Sequence, residues 1–257
     1  MRARTMTPVG VAAAPALTAL CWGVCAWEAR RARGGDKPFV EALPASGLVG
    51  GGLGDRPTRM AWLGDSLAAG LGCDDLADTP AHLTARLLER PVEVSMLAVP
   101  GARVEHVLEE QLSQLDRDTD LVVLCVGAND VAGATPRARY EAQLDEVLGR
   151  IAPTPVIVLS LPDMAMPDRI AQPLRTVAGM AARWYDAARA RVVARHAHAV
   201  SVDIASRPHG LSRAAGRRML CADRFHPGPE GYRVWAERIA NAGHEILERQ
   251  QVPSLVD

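Results

Sequence analysis

LVVLCVG, from Leu121 to Gly127, contains no charged or strongly polar residue, and it is dense in β-branched side chains. A strand with one wet face alternates apolar and polar residues, so an unbroken apolar run bounded by turn residues predicts a strand buried on both faces. Four similar runs surround it: MAWLG (Met60–Gly64), VEVSMLAV (Val92–Val99), PVIVLSL (Pro155–Leu161) and AVSVDIA (Ala199–Ala205). Amphipathic stretches separate them. Helices are predicted at about Pro80 to Glu89, Arg137 to Ile151 and Leu174 to Arg195. Another is predicted where Val104, Val107, Leu108, Leu112 and Leu115 recur at three- and four-residue steps, and a last one from near Pro229 puts Tyr232, Trp235, Ile239 and Ile246 on one face. Five short apolar strands alternating with helices predict an α/β domain built on a parallel sheet covered on both faces.

The rest of the chain divides around that domain, which is expected over residues 59–250 with a short tail at 251–257. From Thr7 to Trp27 no residue is charged, and arginines flank the segment on both sides. Its length is close to the roughly 20 residues a helix needs to cross a bilayer. Residues 1–28 are therefore expected to be a membrane anchor, with a cleaved signal peptide and secretion as the competing reading. The arginines are nearly balanced, so they do not orient the segment. Residues 29–58, rich in Gly and Pro, read as a linker. Their glycines precede a strand instead of following one, which argues against a phosphate loop.

Lys+Arg is 29 and Asp+Glu is 30, a formal net charge of −1 that gives no bulk reason to bind nucleic acid. The five cysteines form neither a zinc-type pair of CxxC units nor an even disulfide framework. Nothing in the spacing requires Cys73 to pair with Cys221.

In parallel α/β sheets, ligands bind beyond the carboxyl ends of the strands. Gly64-Asp65-Ser66 follows the first strand, Pro100-Gly101 the second and Gly127-Ala128-Asn129-Asp130 the third, while Asp223-Arg224-Phe225-His226 lies some way beyond the fifth. Together they supply a hydroxyl, a close-approaching amide, a side-chain amide and a carboxylate–imidazole pair. Acyl transfer needs that set, because serine requires a base and a developing oxyanion requires preplaced donors. Taken singly, each fragment has an ordinary explanation. Gly-Asp-Ser is a common turn, Asn129 is a plausible helix cap, and Asp223 with His226 is equally a surface pair or two metal ligands. Asp65 and Asp130 read as structural carboxylates holding loop amides. His82, His106, His196, His198, His209 and His244 have no matching partner and read as structural or solvated.

These four blocks in this order resemble those of the SGNH hydrolases, the GDSL-type esterase/lipase superfamily, over about residues 59 to 250. The resemblance implies a flavodoxin-like three-layer α/β/α sandwich with five parallel strands. It implies Ser66 as nucleophile, His226 as base and Asp223 as its orienting acid. Ser66, Gly101 and Asn129 would then form the oxyanion hole, with no metal or organic cofactor. Val99-Pro100-Gly101-Ala102 lacks the Asn often found before the glycine of the second block, so Gly101 is the loosest match. The expected activity is cleavage of a small-molecule, lipid or glycan carboxylic ester. The alternatives are a membrane-associated O-acyltransferase using the same triad and a catalytically silent glycan- or lipid-binding sandwich. Met164 and Met166 serve equally well as lining of an acyl pocket or as ordinary loop packing.

Overall fold

The computed structural model describes residues 43–50, 56–206 and 212–251. The segment read as an anchor, 1–28, lies outside the described residues, as does the tail after Gln251. Among the described residues no helix is long and apolar enough to cross a membrane.

The strands are β1 (Gly47–Val49), β2 (Thr58–Gly64), β3 (Val92–Met96), β4 (Leu121–Cys125), β5 (Val156–Leu159) and β6 (Ala199–Val202). They form one sheet in the order β1-β3-β2-β4-β5-β6. The five strands β2 to β6 are parallel, with register pairs such as Leu63↔Leu124 and Val123↔Ile157. Their order is that of the flavodoxin-like sandwich, and the direction of winding reverses between β2 and β4.

A sixth strand was not anticipated. β1 lies within the stretch read as linker and pairs antiparallel with β3, Val49 opposite Val92. It is three residues long, opens on Gly47 and is followed by Gly50, both with positive φ (148° and 71°), so its composition reads as loop. Only the open edge of β3 makes it a strand.

The predicted helices appear as α1 (Pro80–Leu87), a helical segment over 104–114 that we call α2, α4 (Arg137–Ile151), α5 (Leu174–Val193) and α7 (Pro229–Gln251). Short α3 (Ala128–Gly133) and α6 (Arg213–Arg218) were not predicted as elements; neither is long enough to show a period. α1 begins where its residues dictate: the Thr79 hydroxyl caps the His82 amide and Pro80 occupies the first turn. The apolar periodicity of α2 is realised unevenly. A turn over Val104–His106 passes into a π turn over Val107–Gln111 and a 3₁₀ turn over Leu112–Gln114.

β4 shows why its sequence is apolar throughout. Leu121, Val123 and Cys125 face one helical layer with Ala85, Leu88, Ile239 and Leu247. Val122 and Leu124 face the other, with Tyr140, Leu144, Leu148 and Val192. No residue of the strand is more than 3% exposed. Burying each such side chain contributes about 1.5–3 kcal/mol, so a polar residue on either face would be costly.

Candidate active site

β2 and β4 are neighbours on either side of the reversal, so the turns leaving their carboxyl ends border one crevice. Gly64 ends β2 at a φ of 134°, and a Cβ there would fall 1.9 Å from the Cys125 carbonyl oxygen. That close approach lets the Asp65 amide donate to the Cys125 carbonyl at 3.0 Å, which places Ser66 at the rim. Gln111, fully buried at the end of the π turn, clasps both backbone groups of Gly64: its Oε1 accepts from the amide and its Nε2 donates to the carbonyl, each at 2.8 Å.

The loop before α7 brings His226 to Ser66. His226 Nε2 lies 3.0 Å from Ser66 Oγ, and its Nδ1 lies 2.5 Å from Asp223 Oδ2. The other carboxylate oxygen, Oδ1, accepts from the Phe225 amide at 2.7 Å, the His226 amide at 2.9 Å and the Cys221 thiol at 3.0 Å. Burial opposes ionisation of Asp223, but the His226 ring, the thiol and the two amides outweigh it and hold the carboxyl well below the usual carboxylate range. Asp223, His226 and Ser66 thus form one continuous hydrogen-bonded chain.

Asn129 lies in the first turn of α3, with Gly127 at the cap position, so it does not cap the helix. Its Nδ2 donates to the Ala102 carbonyl at 3.0 Å and, in a longer bond, to Asp65 Oδ2 at 3.4 Å. This ties the Ser66 turn, the Gly101 turn and α3 together. Gly101 has a φ of 86°, with nothing within 4 Å of where a Cβ would stand. Its backbone conformation selects glycine there, not crowding.

Asp65 and Asp130 bind loop amides, as their positions suggested. Asp65 Oδ1 accepts from the Leu67 amide at 2.9 Å, and Asp130 Oδ2 accepts from the Val104 amide at 3.1 Å. Burial pushes the Asp65 carboxyl up to about 7, with the Leu67 amide pulling the other way and the nearby Asp130 adding to the rise. Burial likewise raises Asp130. The remaining described histidines hold local structure: His82 bonds Thr79, His106 the Arg103 amide, His196 Asp145, His198 the Leu148 carbonyl and His244 the Leu87 carbonyl. Among the described residues no three His, Cys, Asp or Glu side chains are grouped to hold a metal, and Cys73, Cys125 and Cys221 are free thiols.

A cavity of about 140 Å³ opens beside Ser66. Leu67, Met164, Met166, Ile204, Phe225 and Trp235 are among its walls, and Asn129 borders it. Both methionines therefore face the crevice. Across its rim Arg224, next to the lining residue Phe225, forms a bidentate ion pair with Asp168, next to the lining residue Pro167, at 2.9 and 2.5 Å. Sequence reading missed Gln111, Cys221 and this pair. Gln111 looked like one residue of an amphipathic helix, and the other contacts join segments that meet only in the fold.

Comparison with known proteins agrees with this fold. A GDSL-like esterase of Mycobacterium tuberculosis is 30% identical over 201 residues, a stretch covering 74% of this chain and 63% of that protein's length. Phospholipase A1 of Streptomyces albidoflavus superposes with a TM-score of 0.52 at 21% identity, over 76% of this chain and 99% of that one. The psychrotrophic esterase EstA of a Pseudoalteromonas species gives 0.54 at 14% identity, over 74% of this chain and 99% of that one. At such identities the two structures speak to the fold alone. Residues 62–234, the span from the core of β2 into α7 that carries every turn bordering the crevice, match the GDSL-like lipase/acylhydrolase family, and the chain belongs to it.

Proposed function

We propose that the protein hydrolyses carboxylic esters of apolar acyl groups through Ser66, His226 and Asp223. One observation carries the reading: Ser66 and His226, 160 residues apart in sequence, are within hydrogen-bonding distance, and His226 is backed on its other nitrogen by an ionised carboxylate. In this reading Ser66 Oγ attacks the ester carbonyl carbon while its proton passes to His226 Nε2. The carbonyl π electrons move onto oxygen, where the Ser66 and Gly101 amides and Asn129 Nδ2 supply donors. Asn129 has a hydrogen to give, because its 3.4 Å bond to Asp65 is long enough for an oxyanion to displace. The tetrahedral intermediate collapses, its C–O bond breaks, and the leaving alcohol takes the proton from His226. Water then attacks the acyl-serine with His226 again accepting a proton, which releases the acid and restores Ser66. Asp223 stays ionised throughout, holding the Nδ1–H tautomer and offsetting the imidazolium charge.

The lining of the crevice supports an apolar acyl group, since Leu67, Met164, Met166, Ile204 and Trp235 make up much of it, and the carboxylate of Asp163, which also lines it, is engaged by the Ala165 amide. The uncharged stretch from Thr7 to Trp27 supports a membrane tether, which would put lipid esters within reach. A fluorophosphonate probe should label the wild-type protein and spare Ser66→Ala, and Ser66→Ala should lose turnover of p-nitrophenyl butyrate. Equal labelling, or turnover retained in the variant, would reject Ser66 as the nucleophile.

A further inference from the structure

Asp223 is held at both oxygens. Oδ2 faces the His226 ring, while Oδ1 receives two backbone amides and the Cys221 thiol. Any residues in this loop conformation would supply the two amides. The thiol is the one Oδ1 donor that depends on which side chain is present. Cys221 is also fastened to the same loop through its backbone, its amide donating to the His226 carbonyl and its carbonyl accepting from the Arg224 amide, both at 2.9 Å. Gly72 leaves room for this side chain: a Cβ there would fall 3.1 Å from the Cys221 sulfur.

The other ionisable groups at this corner are neutral or turned away. Burial pushes the Cys221 thiol up to about 11 and the Cys73 thiol, on the turn after β2, up to about 12. Burial also raises Tyr232 of α7 well above its usual range. Arg224 points outward to Asp168. The Asp223 carboxylate therefore has a sulfhydryl donor behind it and an imidazole in front, with no cation competing for it among the described residues.

We propose that Cys221 is a positioning residue for the acyl-transfer reaction: by donating its S–H to Asp223 Oδ1 it fixes the rotation of the carboxylate and tempers the basicity that His226 meets at Oδ2. The proposal rests on the triad reading given above. Without that donor the carboxylate is freer to rotate and holds an imidazolium more strongly, so the ring is less well aimed at Ser66 and less of His226 is free to accept a proton on the acid side of the profile. Cys221 does not line the cavity, so the effect falls on kcat and not on KM.

The test compares Cys221→Ala with Cys221→Ser in the full chain, following p-nitrophenyl butyrate hydrolysis from acid to alkaline pH alongside thermal melting. Losing one hydrogen bond to a charged group is expected to cost Cys221→Ala about tenfold in kcat, with KM within about twofold and the acid limb of the rate profile moved up by about half a pH unit or more. Cys221→Ser, whose hydroxyl still donates, should stay within about twofold of wild type with an unmoved limb. Cys221→Val keeps the bulk without a donor and should behave as the alanine variant does. An alanine variant with wild-type kcat and acid limb would overturn the proposal, and so would a serine variant as impaired as the alanine one. Neither result touches the triad reading, which stands or falls on Ser66→Ala.

Discussion

Gln111 grips Gly64 at both its amide and its carbonyl, each at 2.8 Å, from 47 residues away in sequence. The side-chain amide acts as a short piece of extra backbone at the end of β2, two residues before Ser66. Gln111→Leu keeps the volume but leaves the Gly64 amide buried and unpartnered. The expected loss is about 1–3 kcal/mol of stability, read from the urea midpoint, together with a fall in kcat as the Ser66 turn loosens. An unchanged midpoint would show that the clasp contributes nothing.

Two glycines at the rim should respond differently to alanine. At Gly64 the new methyl would sit 1.9 Å from the Cys125 carbonyl, so β2 and β4 would have to part. Gly64→Ala is expected to lose the folded state at ordinary temperature, or at least about 4 kcal/mol, as scored by circular dichroism. Gly101→Ala meets no atom and carries only the conformational penalty of a positive φ, about 1–2 kcal/mol. It should stay folded and lose activity as its turn shifts, which separates the oxyanion role from the fold.

Asp65 should leave a signature in the pH dependence of stability. Burial pushes its carboxyl up to about 7 in the folded protein, against an ordinary 3.8 in the unfolded chain. Between those values the unfolded chain has released the proton and the native state still holds it, so stability falls as pH rises from about 4 to about 7 and is level above. Asp65→Asn removes that contribution while its side-chain carbonyl still accepts from Leu67. The difference in urea midpoint between variant and wild type should therefore grow in the variant's favour across this window. A difference that does not change with pH would mean that the folded carboxyl ionises normally.

The Arg224–Asp168 pair joins the loop carrying His226 to the loop carrying Met164 and Met166. Asp168→Ala should let the two walls move apart and raise the kcat/KM ratio of long-chain to short-chain p-nitrophenyl esters by several-fold, an effect on the scale of one or two methylene contacts. Exchanging the two residues, Asp168→Arg with Arg224→Asp, should return the ratio toward wild type. If the ratio stays constant in Asp168→Ala, the pair plays no part in selecting substrate.

Much of this arrangement is legible in local residue patterns. β4 announces itself because both its faces are buried, and α4 does so because Tyr140, Leu144, Val147, Leu148 and Ile151 form one buried stripe. The site blocks are legible for a related reason: parallel strands all deliver their following turns to one rim, so chemistry-bearing residues just past strand ends are placed near one another before any coordinates exist. β1 escaped notice because three residues, the first of them a glycine, have no period to detect. The uneven winding of α2 escaped notice because an apolar stripe tolerates a π turn.

Local chemistry along the chain was enough to set the layers, the parallel strands and the rim that carries Ser66 and Asn129, since periodicity and turn preference act over a few residues; Asp223 and His226, well beyond the last strand, were assigned to that rim by the resemblance of the four blocks to a known family. Folding had to decide which groups touch: the thiol of Cys221 on Asp223, Gln111 around Gly64, the 3.0 Å gap between Ser66 and His226, and the low ionisation of Asp223 beside the raised carboxyl of Asp65. Hydrogen bonds and desolvation depend on distances of a few ångströms between segments far apart in the chain, and such distances exist only once the core has packed.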